Sequence, residues 1–325
     1  MIIKLKWVVL FQGIVILILL GIIIDYYHSD VKTQNKIDTG LLSPRVYTGL
    51  LESKSLLIVN FAPLKEKIQN YIAKNKLNAS VYVENFRNGA FMGINEKQGF
   101  FPASLNKLPV AILIMKKVEE KDFSMDTMLE IKESDRTNSS GELYRTNQKQ
   151  LPLKLVLEKL LKESDNTALR ILLRQVDLGD LQFILDYYGI DINVDSQKQE
   201  VGNSDLITPK AMSTLFSSLY FSTVLEADDS EYLLQLLKQS EFPINQVADL
   251  PDNVIVAQKY GENYYSNKKY FHDCGIMYID DTRIFYCIMT RGIDEENAVG
   301  TIGVITNQIY HYVQDTKSKL KAYRQ

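Results

Sequence analysis

Eighteen consecutive residues without a charge, from Trp7 to Ile24 (WVVLFQGIVILILLGIII), constrain this 325-residue chain more than any other feature. An apolar run of that length matches the hydrocarbon thickness of a bilayer when helical, and Gln12 is its only strongly polar member. Lys4 and Lys6 precede the run, while Asp25, Tyr26, Tyr27 and His28 follow it. The positive-inside rule therefore places residues 1–6 in the cytoplasm, residues 7–24 across the membrane and the remainder outside. The run exceeds the apolar stretch of a removable signal peptide, and no small-x-small cleavage site follows, so a retained single-pass anchor is expected.

The rest of the chain is of a different kind. With 46% hydrophobic residues it can bury a sizeable core, and 37 basic against 40 acidic residues leave a net charge of -3, which offers no basic excess for nucleic acid. Residues 25–52 have no clear period and several turn formers, and read as a tether. Residues 53–315 carry the organised sequence, and the charge-rich 316–325 reads as a solvated tail.

Within 53–315, a helical pattern through PLKEKIQNYIAKNK is followed by two β-like runs, ASVYVENF and GAFMGINE, split by Arg87-Asn88-Gly89 as in a hairpin. A block of helices comes next. One of them opens with Thr208 as N-cap and Pro209 at its first position. Strands return in VIVAQKYG, KKYFHDCGIMYI and RIFYCIMTRG, before a last helix over residues 298–315. Helix, strands, helices, strands and a final helix describe an α+β domain whose two chain ends complete one antiparallel sheet.

Cys274 and Cys287 flank GIMYIDDTRIFY. A two-residue turn at Asp280 and Asp281 puts Ile279 opposite Thr282, and the same register puts Cys274 opposite Cys287, close enough for a disulfide. Two small buried thiols are the plainer alternative, because the turn lacks the Gly that fixes a tight hairpin. Two Cys and three scattered His give no zinc pattern.

Three short motifs carry chemistry. In FFPASLNKLPVAILIMKK, Ser104 and Lys107 stand at i and i+3 and share one helix face at the front of an apolar helix. A serine hydroxyl needs a base to become a nucleophile, a desolvated lysine can serve, and free N–H groups at a helix start can meet a developing oxyanion. Ser164, Asp165 and Asn166 interrupt two apolar helical runs, as a helix N-cap or as the polar edge of a cleft. Lys259 and Gly261 end an apolar strand, where the glycine admits close backbone approach.

S-x-x-K, then S-D-N 60 residues on, then K-x-G resembles the motif set of the class A β-lactamases and penicillin-binding proteins. TPKAM opening a later helix and HDCGIMY after the lysine strand resemble it too. The resemblance implies a β-lactamase/transpeptidase-like fold, with an antiparallel sheet flanked by helices, a mostly helical lobe, and the site between them. Together with the N-terminal apolar run, it implies an exported, membrane-anchored serine hydrolase at the bacterial cell membrane, most simply a β-lactamase. The alternatives are a D,D-peptidase or another serine amidase or esterase, and, in another class, a non-catalytic sensor that binds peptidoglycan or a β-lactam. The expected partner is a small β-lactam or peptidoglycan peptide, the expected state a monomer, and no metal or organic cofactor is required.

By the same resemblance, Ser104 is the nucleophile and Lys107 its general base or proton relay, Ser164 shuttles the proton toward the leaving nitrogen, and Asn166 orients substrate and Lys107. Lys259 supplies positive potential for a substrate carboxylate, and the N–H groups of Ser104 and Glu262 form the oxyanion hole. Two departures stand out. Tyr260 replaces the small hydroxyl residue of the third motif, and the segment before the T-P helix is short. Its deacylation candidates are Glu200, Asp195 and Asp191.

Overall fold

The computed structural model describes residues 19–21, 60–192, 194–195, 200–201 and 206–323. The chain divides into two compact units, Met1–Leu57 and Ile58–Gln325. In the first unit only residues 19–21 are described, and they are helical. The rest of the proposed anchor and all of the tether lie outside the described residues. Among the described residues, no helix is long and apolar enough to cross a membrane.

In the second unit, helix α1 (Ala62–Lys74) leads into strands β1 (Ala79–Asn85) and β2 (Phe91–Ile94). These pair antiparallel around a turn whose Gly89 has φ +71°, a left-handed conformation that glycine adopts without a Cβ clash. A helical block follows: α2 (Lys107–Glu119), α3 (Leu153–Lys162), α4 (Asn166–Leu173), α5 (Leu178–Tyr187), α6 (Pro209–Tyr220), α7 (Ala227–Lys238) and α8 (Ile244–Val247). Two short pairs interrupt it, β3 (Met128–Glu130) with β4 (Gln150–Pro152), and β5 (Val194–Asp195) with β6 (Glu200–Val201). Strands β7 (Ile255–Tyr265), β8 (Lys268–Ile279) and β9 (Thr282–Arg291) and helix α9 (Glu295–Tyr323) finish the domain.

The main sheet has the order β2-β1-β9-β8-β7, so the two chain ends meet at β1 and β9. Side chains alternate across a strand, and β9 shows the consequence. Ile284, Tyr286 and Ile288 join one core with Leu64 and Ile68 of α1 and Ile302 and Ile305 of α9. Phe285, Cys287 and Met289 join the other core, with the helical block. A strand buried on both faces reads as a continuous apolar run, which IFYCIM does.

The β8–β9 register pairs Ile279 with Thr282 and Cys274 with Cys287. The cysteines are joined as a disulfide with Cα atoms 3.9 Å apart, rather than standing as two thiols. The turn is made without glycine because Asp280 itself takes a left-handed φ of +50°, which a short polar side chain tolerates.

The last helix does not stop at Asp315 but continues to Tyr323. No glycine or proline occurs between Asp315 and Tyr323, and Lys317 bonds both Asp280 and Asp281 at 2.9 Å, tying the extension to the β8–β9 turn. Thr208 caps α6 as expected, accepting the Ala211 N–H at 3.1 Å.

Candidate active site

Ser104 sits in the 3-10 turn Ala103–Asn106 that runs into α2. The residue before it, Ala103, has φ +49°, a strained state for a residue with a Cβ that persists only where its surroundings impose it. Strand β7 presses on this turn. A Cβ on Gly261 would lie 2.9 Å from Ser104 N and 3.2 Å from Ala103 Cβ, so the close approach that Gly261 permits is to the turn carrying the serine.

One turn on, Lys107 is wholly buried among the apolar residues of α2. Its Nζ lies 2.7 Å from Ser104 Oγ, 3.1 Å from Ser164 Oγ and 2.6 Å from the Ser164 carbonyl oxygen. Burial is the main force on its pKa, drawing it from 10.5 down to about 7, against a smaller opposing pull from Asp165. Near neutral pH the amine is therefore divided between its two forms. A neutral amine has two N–H groups, which Ser164 can accept, and one lone pair, which is left for the Ser104 hydroxyl proton.

Ser164 reaches Lys107 with both its side chain and its carbonyl because it too is left-handed, at φ +56°. Asp165 next to it is the N-cap of α4, accepting from the N–H groups of Ala168 and Leu143 at 2.8 Å. Burial raises its carboxyl pKa, while N–H bonds from Leu143, Ala168 and Thr167 and the charge on Lys107 pull the other way. The Ser-Asp-Asn triplet is thus both a helix cap and a cleft edge, with the middle residue capping and its neighbours lining a cavity.

Lys259 is also wholly buried, its Nζ 2.9 Å from Ser164 Oγ and 2.8 Å from the Tyr260 carbonyl oxygen. Its pKa lies well below the ordinary lysine value, first through burial and then through Lys107. Ser164 Oγ therefore stands between two amines. The Tyr260 ring lies 4.6 Å from the Lys259 Nζ and packs against Phe242.

A cavity of about 590 Å³ opens over these groups, lined by Ser104, Ser164, Asn166, Tyr260 and Glu262 among others. Neither Lys107 nor Lys259 lines it; both act on it from beneath, through the two serine hydroxyls. Asn166 faces the cavity but its amide donates to Ser139 Oγ at 2.8 Å, and no bond to Lys107 is present among the described residues. Asp191 is exposed, its backbone paired with Leu206, and it does not line the cavity. Asp195 and Glu200 face each other across β5 and β6, and their side chains lie outside the described residues.

The family model for the beta-lactamase enzyme family matches residues 63–313. The chain belongs to that family. Beta-lactamase VEB-1 of Pseudomonas aeruginosa is 23% identical over 215 residues, covering 62% of this chain and 72% of that protein. Among solved structures, the TLA-3 extended-spectrum beta-lactamase superposes with a TM-score of 0.71 at 20% identity, covering 78% of this chain and 99% of its own. PBP-A superposes with a TM-score of 0.70 at 19% identity, covering 78% and 97%. In this beta-lactamase-family serine hydrolase, the three sequence motifs converge on one cavity.

What sequence reasoning missed is the loop from Thr137 to Gly141. Ser140 Oγ donates to the Ser164 carbonyl oxygen at 3.0 Å, and Ser139 holds the Asn166 amide. Gly141, at φ +79°, leaves room for the Asp165 carboxylate, which a Cβ there would meet at 2.1 Å. The signal was present as a run of small polar residues, TNSSG, closed by a glycine.

Proposed function

We propose that this hydrolase opens β-lactam amides by transferring the acyl group to Ser104. The observation that carries the reading is a single buried amine, Lys107, within hydrogen-bond reach of both serine hydroxyls. Neutral Lys107 takes the Ser104 proton as Oγ attacks the lactam carbonyl carbon. The N–H groups of Ser104 and Glu262 receive the oxyanion. Ser164 gives its proton to the departing ring nitrogen and is reprotonated from Lys107, with Lys259 easing that exchange. A variant of PBP-A is held as an acyl-enzyme with penicillin G, which is the same covalent class of intermediate.

A second reading, slow turnover as in a D,D-peptidase, is favoured by one observation. Among the described residues lining the cavity the only carboxylate is Glu262, and it pairs with Lys269 at 3.3 Å. Acylation is equipped, whereas among the described residues lining the cavity no comparable base for water activation is present.

The test is the pH dependence of chromogenic cephalosporin opening. Because the base form of Lys107 is required and its pKa is about 7, the acylation rate rises through pH 7, levels off above about pH 8, and falls about tenfold per unit well below the pKa. A flat profile from pH 5 to 9 contradicts the assignment. We further propose that residues 7–24 anchor the domain on the outer side of a cell membrane, as their uncharged run and the preceding lysines suggest. Recovery of the full chain in the alkali-washed membrane fraction is expected, and recovery in the supernatant contradicts it.

A further inference from the structure

The turn that carries Ser104 is strained, and something outside α2 must hold it. The turn and the residues leading into it are gripped at three points. Phe100 exchanges two backbone hydrogen bonds with Ile207, at 2.9 and 2.8 Å. Gly261 of β7 packs directly on Ser104 N. Between these, the carbonyl oxygen of Phe101 lies 2.8 Å from Nε2 of His272 on β8. His272 pairs in register with Gly261, so two facing residues of adjacent strands meet the same turn.

The imidazole is held at both of its nitrogens. It is wholly buried, with Phe100 edge-on at 5.8 Å and Tyr270 at 6.1 Å. The Thr290 backbone N–H donates to Nδ1 at 3.3 Å, which makes Nδ1 the acceptor and leaves the ring proton on Nε2 to meet Phe101. Burial lowers its pKa to about 4, so the ring stays neutral through the working range and keeps that tautomer. An unsatisfied carbonyl buried at this point would cost free energy, so the donor secures the turn as well as shaping it.

We infer that His272 is a positioning residue for the acyl-transfer reaction, fixing the left-handed turn at Ala103 through the Phe101 carbonyl so that Ser104 Oγ stays in line with Lys107. It touches neither substrate nor Oγ. The inference rests on Ser104 being the acylated residue, and the experiment separates the two. Misplacement of a nucleophile by about 1 Å can cost about a hundredfold in rate without changing the machinery.

The experiment is single-turnover acylation of the full chain in detergent by penicillin G, resolving the acylation rate constant from the initial binding constant, with thermal melting alongside. His272→Gln can carry an N–H to the Phe101 carbonyl; His272→Asn is too short to reach it but can still accept from Thr290. The expected result is that His272→Gln acylates within about threefold of the parent, while His272→Asn, which melts lower because the Phe101 carbonyl is left unpaired but is still folded at the assay temperature, loses about thirtyfold or more in the rate constant with an unchanged binding constant. Equal rates in the two variants, or a loss in His272→Asn that disappears when acylation is measured well below its melting temperature, would overturn the positioning role. Should the parent form no adduct on Ser104, the functional reading fails first, and His272 is left without a reaction to position.

Discussion

Replacing Lys107 with methionine lowers the rate of Ser104 acylation by about a thousandfold, an effect of about 4 kcal/mol on the barrier. The side chain is wholly buried, so methionine fills a similar volume without bringing a charge into the core. What is lost is the lone pair 2.7 Å from Ser104 Oγ, together with the donor to the Ser164 hydroxyl and carbonyl. Ser104 is then an ordinary alcohol, protonated at every usable pH. The pH profile should change with the rate, since the rise through pH 7 belongs to Lys107. Quenched-flow mass measurements at pH 6 and pH 8 check both points. A variant that keeps the pH 7 transition at full rate shows that another group is the base.

Replacing Gly141 with alanine destabilises the domain by about 3 kcal/mol or more, measured by urea unfolding. Two costs combine there. The φ of +79° costs about 1–2 kcal/mol for a residue with a Cβ, and that Cβ would sit 2.1 Å from the Asp165 carboxylate. Asp165 cannot retreat without releasing the N–H groups of Ala168 and Leu143, and losing a helix cap adds about 1 kcal/mol. Gly89 is the control. Its φ is +71° but nothing lies within 4 Å of its added Cβ, so Gly89→Ala pays only the conformational term, about 1 kcal/mol. Equal costs at the two positions would show that the loop and cap are not coupled.

These effects bear on what could be read in the sequence. Ser104 and Lys107 were legible because helical spacing alone brings i and i+3 together, and the cross-strand partnership of Cys274 and Cys287 because β register has a period of two residues. Periodicity assigns a face but not a depth. Lys259 was expected to offer its charge to a substrate carboxylate, yet its amine lies beneath the cavity surface, bonded to Ser164 and to the Tyr260 carbonyl. Asn166 was expected to reach Lys107, but its amide is held by Ser139, from a loop that has no periodicity to announce it. Nor does spacing reveal that Ala103 and Ser164 take left-handed backbone, which follows from contacts with distant strands and turns. The continuation of α9 beyond Asp315 was missed for a related reason. Charge-rich composition signals solvent exposure, but Lys and Ala are also good helix formers, and Lys317 has two carboxylates to bind.

The site is organised so that two serine hydroxyls face the cavity and two lysines lie behind them. Burial depresses both amines, and their mutual repulsion adds to the effect on Lys259. In the proposed mechanism, one arrangement thus makes Lys107 a base near neutral pH and keeps Ser164 supplied with donors for proton return.

The most direct measurement of this account is the intact mass of the detergent-solubilised chain mixed with penicillin G, sampled from seconds to hours beside its Ser104→Ala variant. The account predicts an increase by the mass of one penicillin on the parent and none on the variant. Clearance of that adduct with product accumulating indicates β-lactamase turnover, and persistence indicates the slower, peptidase-like course. The absence of an adduct and of product at every time, or the same adduct on Ser104→Ala, would contradict acyl transfer at Ser104.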